Sequence, residues 1–322
     1  MNKFKKIGLT ALAASLVSVS AQAGALTLSG AASMAAGGYS GEGHDGGATF
    51  SMGNQITASG SGELDNGMTV SMSFQMDNAK GQSGPFEDHS ITVSSDAMGS
   101  LTLHGYGGGS ATSAMDATAA GNLWDTYNAT IGGAVGVGHT NTAPGTNAFM
   151  YVLPTIMDGV AVNVSYEPQA SGNTTDSGMG YAVTYTGVEG LSLTYSQSDE
   201  VGTTSALSGE QTAWKASYAY GPITATATGS DFDVQTASSD QDVSSYAVSY
   251  TITDELSVTY GTEAIDSGTA NDQDAEYSKL SASYTSGGMT ISAQMGQAEN
   301  IDHSTNANAD LDYWGLSASF AF

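Results

Sequence analysis

Cysteine and arginine are both absent from the sequence, and its six lysines are set against 32 acidic residues. Without cysteine, no disulfide framework can support the fold. Without arginine, and with so few lysines, no basic patch is available to bind phosphate groups, which excludes nucleic acid as a partner. No stretch after residue 23 approaches the roughly 20 apolar residues of a membrane-spanning helix. An overall polar protein can still reside in a membrane, provided that only every second residue of its strands faces lipid.

The first residues have the pattern of an export signal. Three lysines within the first six residues precede the apolar stretch Ile7–Val19, and an A-x-A site occupies residues 21–23. The apolar stretch is too short to span a bilayer, so the pattern predicts a signal peptide over residues 1–23. The mature protein, residues 24–322, would then keep three lysines and all 32 acidic residues.

The last nine residues predict a strand with two different faces. Trp314, Leu316, Ala318, Phe320 and Phe322 form one apolar row, and small, mostly polar residues alternate with them. A strict period of two is typical of a β-strand. The pattern resembles the carboxy-terminal signal of bacterial outer-membrane β-barrel proteins; the alternative is an ordinary edge strand.

Alternating segments of roughly ten residues, separated by turn residues, predict sixteen strands in all. Seven short turns alternate with eight longer loops, as in a transmembrane barrel. The predicted strands are Ala25–Ala36, Thr49–Leu64, Met68–Asn78, Glu87–Asp96, Ser100–Gly107, Ala148–Pro154, Val160–Glu167, Gly178–Thr186, Leu191–Ser198, Gln211–Tyr220, Ile223–Phe232, Val243–Ile252, Leu256–Ile265, Glu276–Thr285, Met289–Gln297 and Asp310–Phe322.

The two faces of these strands differ as lipid and water require. In Met68–Asn78 the even positions from Met68 to Met76 are apolar, whereas the odd positions carry Thr, Ser, Gln and Asp. Small polar rows suit a water-filled lumen, and the tyrosines of the later strands suit an aromatic girdle on the lipid side. The first five strands have almost no tyrosine, and their outward rows carry methionine and small residues. We therefore expect strands one to five to form a subunit interface.

The longest insertion, residues 108–147, lies between the fifth and sixth strands, and loops of this length are usually functional. Signal peptide, sixteen strands, terminal Phe and a long third loop together resemble the general diffusion porins of Gram-negative bacteria. The glycine-rich, arginine-poor composition is most similar to the alphaproteobacterial porins. The resemblance implies a sixteen-stranded antiparallel transmembrane β-barrel whose third loop folds into the pore. It also implies a homotrimer in the outer membrane.

Five residues are candidates for the narrowest part of such a pore. Loop residues Asp116, Asp125 and His139 follow from the resemblance, although the two aspartates could equally be helix caps or solvated residues. Lys215 and Lys279 lie between outward-facing residues, so their side chains are expected to point into the lumen. Many porins place an arginine cluster opposite the acidic loop, and this sequence has none. The transverse field of those porins is therefore in doubt.

The expected function is passive diffusion of small hydrophilic solutes and ions, with a preference for cations because the lumen would be net negative. The alternatives are a substrate-selective channel and a non-channel surface protein such as an adhesin. No motif of a hydrolase, a metal enzyme or a nucleotide-binding protein occurs, so neither catalysis nor a cofactor is expected. The acidic outer loops could bind calcium loosely. His89 and His104 are assigned to inward rows.

Overall fold

The computed structural model describes residues 26–41, 47–77, 86–112, 117–127, 147–168, 177–199, 209–234, 240–267, 273–304 and 309–322. The predicted signal peptide, residues 1–23, lies outside the described residues and stays a prediction. Within the described ranges, no helix has the length and apolar character needed to cross a membrane. The strands are β1 (Thr27–Ser40), β2 (Ala48–Glu63), β3 (Thr69–Asp77), β4 (Asp88–Ser95), β5 (Gly99–Tyr106), β6 (Ala148–Val152), β7 (Val160–Glu167), β8 (Gly178–Tyr185), β9 (Leu191–Asp199), β10 (Gly209–Tyr220), β11 (Ile223–Val234), β12 (Gln241–Thr251), β13 (Leu256–Ser267), β14 (Ala275–Ser286), β15 (Met289–Glu299) and β16 (Leu311–Ala321).

These sixteen strands form one closed antiparallel barrel, which confirms the predicted fold class. Each strand pairs with its neighbours in the sequence, and β1 pairs with β16 to close the ring. Beyond β16, the backbone N–H of Gly30 donates to the carbonyl of Phe322 at 2.7 Å, and the N–H of Phe322 donates back at 3.0 Å. Closure leaves no unpaired sheet edge, so every strand can satisfy its backbone within the sheet.

Burial alternates along the strands as the sequence predicts. On β12, Tyr246, Val248 and Tyr250 are exposed on the outside of the barrel. Val243, Ser245 and Ala247 occupy the alternate positions of the same strand and are buried. Large apolar side chains therefore cover the outer face, where lipid lies against a transmembrane barrel, and small residues face inward.

Tight turns connect the strands at one end of the barrel, which is called the turn end. Longer connections join the strands at the opposite end, which is called the loop end. Residues 221 and 222 alone join β10 to β11, and Gly221 has φ +55. This left-handed conformation suits glycine, which has no Cβ to clash. The alternation of turns and loops agrees with the predicted arrangement.

The boundaries of β1 and the face of His89 differ from the predictions. β1 continues to Ser40 because Gly37 and Gly38 do not break it; the Trp314 ring of β16 lies over Gly38. The register of β4 and β5 shifts between His89 and Ser90, and His89 pairs with Phe74 on an outward row. The expectation that His89 lines the lumen was therefore wrong, whereas His104 pairs with Ser90 on an inward row.

Candidate functional site

Part of the long connection after β5 lies inside the barrel, against the inner wall. Thr112 is buried, and a Cβ atom at Gly180 of β8 would lie 3.4 Å from its Cγ2. The next described stretch is hydrogen-bonded to three successive strands, β10, β11 and β12. Lys215 Nζ donates to the carbonyl of Ala117 at 3.3 Å, Ala119 N–H to Thr228 Oγ1 at 3.0 Å, and Ala120 N–H to Ser245 Oγ at 2.9 Å. The loop thus follows the wall strand by strand.

Glu263 on β13 is the main polar anchor of this loop. It is 2% exposed and accepts hydrogen bonds from the Thr118 hydroxyl and from the backbone N–H of Trp124 at 3.5 Å. Thr118 also accepts from Asn122 N–H at 2.8 Å, which closes the loop into a tight turn beneath the carboxylate. A buried carboxylate requires such donors, because an unpaired charge away from water is costly.

After this turn, the 3₁₀ helix Leu123–Thr126 carries the loop into a group of tyrosines on the inner wall. Leu123 and Tyr127 are each 2% exposed. The Tyr127 ring contacts Tyr39 of β1, Tyr277 of β14 and Tyr313 of β16, with centroid distances of 6.0, 5.7 and 6.4 Å. Edge-to-face and tilted pairs at these distances stabilise beyond simple burial. The loop therefore has an apolar attachment beside its polar one.

Two inward glycines leave room for the loop to lie close to the wall. A Cβ atom at Gly261 of β13 would be 2.7 Å from the Cβ of Ala120 and 3.1 Å from its Cα. A Cβ atom at Gly296 of β15 would be 2.8 Å from the Tyr127 hydroxyl. Any side chain at these positions would push against the loop, so the wall is shaped to receive it.

Both lysines of the barrel strands point inward, as expected, and both face the loop. Lys215 reaches the carbonyl of Ala117. Lys279 Nζ lies 3.9 Å from the position that a Cβ of Gly121 would occupy, and its charge is attracted by Glu263. Within the described ranges these are the only lysines, and each is placed where the loop meets the wall.

Of the predicted loop residues, only Asp125 is described. It lies in the 3₁₀ helix, is exposed, and its N–H donates to the carbonyl of Asn122 at 3.1 Å. Asp116 and His139 lie outside the described residues. The contribution of all five candidate residues to the pore stays a prediction.

Sequence reasoning missed Glu263 and the inward tyrosines, although face assignment could have found them. Glu263 is the carboxylate that falls on the inward row of β13, whereas Asp266 on the same strand falls on the outward row. Tyr39, Tyr277 and Tyr313 likewise break the rule that tyrosines face outward. A large or charged residue on an otherwise small inward row indicates that something inside the barrel contacts it.

The inner wall away from the loop carries neutral polar groups. Thr92 and Thr102 hydrogen-bond across β4 and β5 at 2.8 Å, and Gln55 donates to Gln75 at 2.8 Å across β2 and β3. Similar hydroxyl pairs join later strands near the turn end, such as Thr285 with Thr290 at 3.0 Å. These pairs are neutral, whereas Asp77 and Asp88 bring carboxyl groups to the same inward rows, opposite Gln55 and Gln75.

A closed barrel with an apolar exterior, a polar interior and an inner loop defines a membrane channel. The family model for Gram-negative porins matches residues 8–300, and the chain belongs to this family. It is accordingly an outer-membrane diffusion channel with sixteen transmembrane strands.

Solved porin structures share the fold. The anion-selective porin from Comamonas acidovorans has a TM-score of 0.69 and 16% identity, covering 92% of this chain and 99% of that one. Salmonella typhi OmpF in complex with daunomycin has a TM-score of 0.68 and 15% identity, covering 93% and 98%. A mutant of the Rh. blastica porin has a TM-score of 0.66 and 14% identity, covering 92% and 100%. No curated protein matches the sequence at a significant level.

Proposed function

We propose that the channel passes small hydrophilic solutes and ions passively and prefers cations. The observation that carries this proposal is the placement of the described lysines, which both face the inner loop. The Lys279 charge is offset by Glu263, and Lys215 is hydrogen-bonded to a loop carbonyl. In the part of the chain that the structure describes, the inner wall carries no further lysine. The Comamonas relative is named as anion-selective; for this chain, with 32 acidic residues and six lysines, the opposite preference is proposed.

The direct test is the reversal potential of the purified protein in a planar bilayer under a KCl gradient. We expect discrete conductance steps and a cation-favouring potential, with a permeability ratio of about two or more, because carboxylates in a confined lumen concentrate cations. The double substitution Asp116→Asn and Asp125→Asn should reduce this permeability ratio. An anion-favouring potential would contradict the proposal. It would indicate that Lys215 and Lys279 determine the ion selectivity of the pore. Saturating flux of one solute would instead indicate a substrate-selective channel.

The selectivity should also depend on pH, through a carboxyl pair at the loop end. Glu87 precedes β4 and hydrogen-bonds with Asp77 at the end of β3. This bond, desolvation, and the charges of Asp77 and Asp88 raise the pKa of Glu87 to about 7. Because the folded-state pKa is raised, the protonated pair stabilises the fold at low pH, and this contribution is lost as the pH rises through 7.

Between pH 6 and pH 8, therefore, the loop end gains negative charge and the cation preference should increase. Reversal potentials at the two pH values measure this step. Glu87→Gln should flatten it, whereas Glu255→Gln, at an exposed turn, should leave it intact. An unchanged step in Glu87→Gln would show that another group titrates.

We further propose a homotrimer whose subunits meet through the outer face of β1 to β5. Leu28, Met34, Met52 and Ile56 are exposed there, and adaptable apolar side chains suit a protein contact. Chemical cross-linking in mild detergent should give trimers. Finding only monomers would contradict the proposed homotrimer. Transport requires no cofactor in this scheme.

A further inference from the structure

One polar side chain lies among the apolar residues of the outer face. Asn54 is in the middle of β2, well away from both ends of the strand, and it is exposed. On the same outward row, Met52 is 70% exposed and Ile56 is 49% exposed. The register places Ala32 of β1 directly opposite Asn54. The amide of Asn54 is therefore at a depth where the surface of the barrel is otherwise apolar.

The outward rows of the later strands have no such residue at the corresponding depth. On β8, β10, β12 and β16, aromatic side chains mark both ends of the outward row, as expected at the two membrane interfaces. Between these aromatic residues lie only apolar side chains, namely Val183, Ala216, Val248, Leu316 and Ala318. The outer face of these strands thus suits lipid throughout, and Asn54 departs from that pattern.

The amide of Asn54 is left without a partner inside the barrel wall. No side-chain hydrogen bond joins it to another described residue. An asparagine amide has two N–H donors and one acceptor oxygen, and lipid hydrocarbon offers no partner for any of them. A polar group in an apolar environment is costly unless it is hydrogen-bonded. A partner must therefore come from beyond the described part of this barrel.

The surroundings of Asn54 favour a protein surface as that partner. Small residues occupy much of the outward rows of β1 and β2, among them Ala32, Ala36, Ala58 and Gly60. In membranes, small residues let two protein surfaces approach closely, and asparagine side chains hydrogen-bond across the contact.

The distribution of charge identifies this partner as a second copy of the chain. Each strand from β9 to β16 has an acidic residue near the loop end of its outward row, whereas the described outward rows of β1 and β2 have no charged residue. Two copies that met through β9 to β16 would bring like charges together, which is unfavourable. The face that carries Asn54 is free of this repulsion. The acidic residues are Asp199, Glu210, Asp231, Asp242, Asp266, Glu276, Glu299 and Asp312.

We propose that the Asn54 side chains of three copies form a ring of amide hydrogen bonds on the symmetry axis of the trimer. This inference rests on the homotrimer proposed above. In such a ring, each amide donates to the next copy and accepts from the previous one, so every Asn54 has a partner. Only residues close to the axis can meet their own equivalents in a trimer, because its other contacts are heterologous. A single polar residue in an apolar contact surface fixes the register of the subunits in coiled coils, and Asn54 has that role here.

The first test is cross-linking through a single introduced cysteine, which is specific because the sequence contains none. The full-length folded protein in mild detergent carries Asn54→Cys. The matched control carries Val248→Cys, which is also in the middle of an outward row but on the sector assigned to lipid. After reaction with a short bis-maleimide and heat denaturation, Asn54→Cys should give mainly linked pairs, with the third chain of each trimer left single. Val248→Cys should give single chains.

The second test measures the dissociation of the trimer. Asn54→Leu keeps the surface apolar but removes the ring, so the ratio of trimer to dissociated chains at a fixed temperature should fall about tenfold. Asn54→Gln keeps an amide and should lie between Asn54→Leu and the wild type. Ile56→Leu, an apolar exchange on the same row, should dissociate as the wild type does. If Asn54 instead faced lipid, Asn54→Leu would make the barrel more stable and leave the trimer unchanged.

Trimers in which Asn54→Cys is not cross-linked would overturn the ring and leave the homotrimer in place, as would Asn54→Leu trimers that dissociate like the wild type. Cross-linking of Asn54→Cys only to a different protein in intact membranes would also overturn it. A wild type found only as monomers would contradict the homotrimer and the ring together. Planar-bilayer conductance of the same samples tests the channel function separately.

Discussion

Replacing Glu263 with alanine is expected to release the inner loop from the wall and to increase the single-channel conductance and its noise. The substitution removes the acceptor for the Thr118 hydroxyl and the Trp124 N–H, and leaves Lys279 without its opposite charge. Each hydrogen bond to a charged group contributes about 1.5–3 kcal/mol. A loss of about 3 kcal/mol lowers the ratio of docked to released loop by about a hundredfold. Planar-bilayer recordings of single channels measure the change.

The matched comparison for this prediction separates the anchor from the barrel. Glu263→Gln keeps one acceptor oxygen and the side-chain shape, so its channels should lie between the wild type and Glu263→Ala. Glu255→Ala, in an exposed turn, should conduct as the wild type does. Quiet Glu263→Ala channels of wild-type conductance would show that the tyrosine group holds the loop without the carboxylate.

Gly261→Leu is expected to displace the loop by steric force, with an effect on conductance as large as that of the lost anchor. The nearest obstacles to a new Cβ are the Cβ and Cα atoms of Ala120, so the loop backbone itself must move. Overpacking of this kind costs about 1–3 kcal/mol where side chains can adjust, and more against backbone. Proteolysis of the folded protein in detergent should cut residues 108–127 faster, and the conductance should change in the same preparation.

Gly60→Leu is the control for this second prediction. Gly60 is also a strand glycine, and the atom nearest to a Cβ at this position would belong to the flexible Leu26 side chain, at 3.7 Å. The Gly60→Leu protein should therefore fold, and each barrel should conduct normally; because Gly60 lies on the outer row of β2 with Met72, conductance is compared per barrel and not per trimer. If Gly261→Leu shows neither faster proteolysis nor altered conductance, the close approach of the loop to β13 is not needed to hold it.

Much of the barrel could be predicted because alternation is local. The pattern of Tyr246, Val248 and Tyr250 against Ser245 and Ala247 defines a strand and its two faces without any knowledge of its neighbours. The same holds for most of the sixteen strands. The turns could also be predicted, because glycine and proline determine the backbone conformation of only two or three neighbouring residues.

Features that depend on distant residues could not be predicted in this way. Gly37 and Gly38 looked like the end of β1, but β16 lies beside them and continues the pairing. The shift that pairs His89 with Tyr106, and Ser90 with His104, arises between two strands, not within either one. The role of Glu263 as an anchor depends on its hydrogen bond with the loop residue Thr118, which is far away in the sequence.

The pairing of β1 with β16 has a consequence for how the barrel is made. Ala31 is aligned with Ala321, so the ring closes through residues from opposite ends of the chain. Contacts of such sequence separation form late and slowly, because the chain between them must first be ordered. Until then, β1 and β16 are open edges that other chains can join. The time between synthesis and closure is thus the period of greatest aggregation risk, and protection of the two terminal strands should matter more than protection of any strand between them.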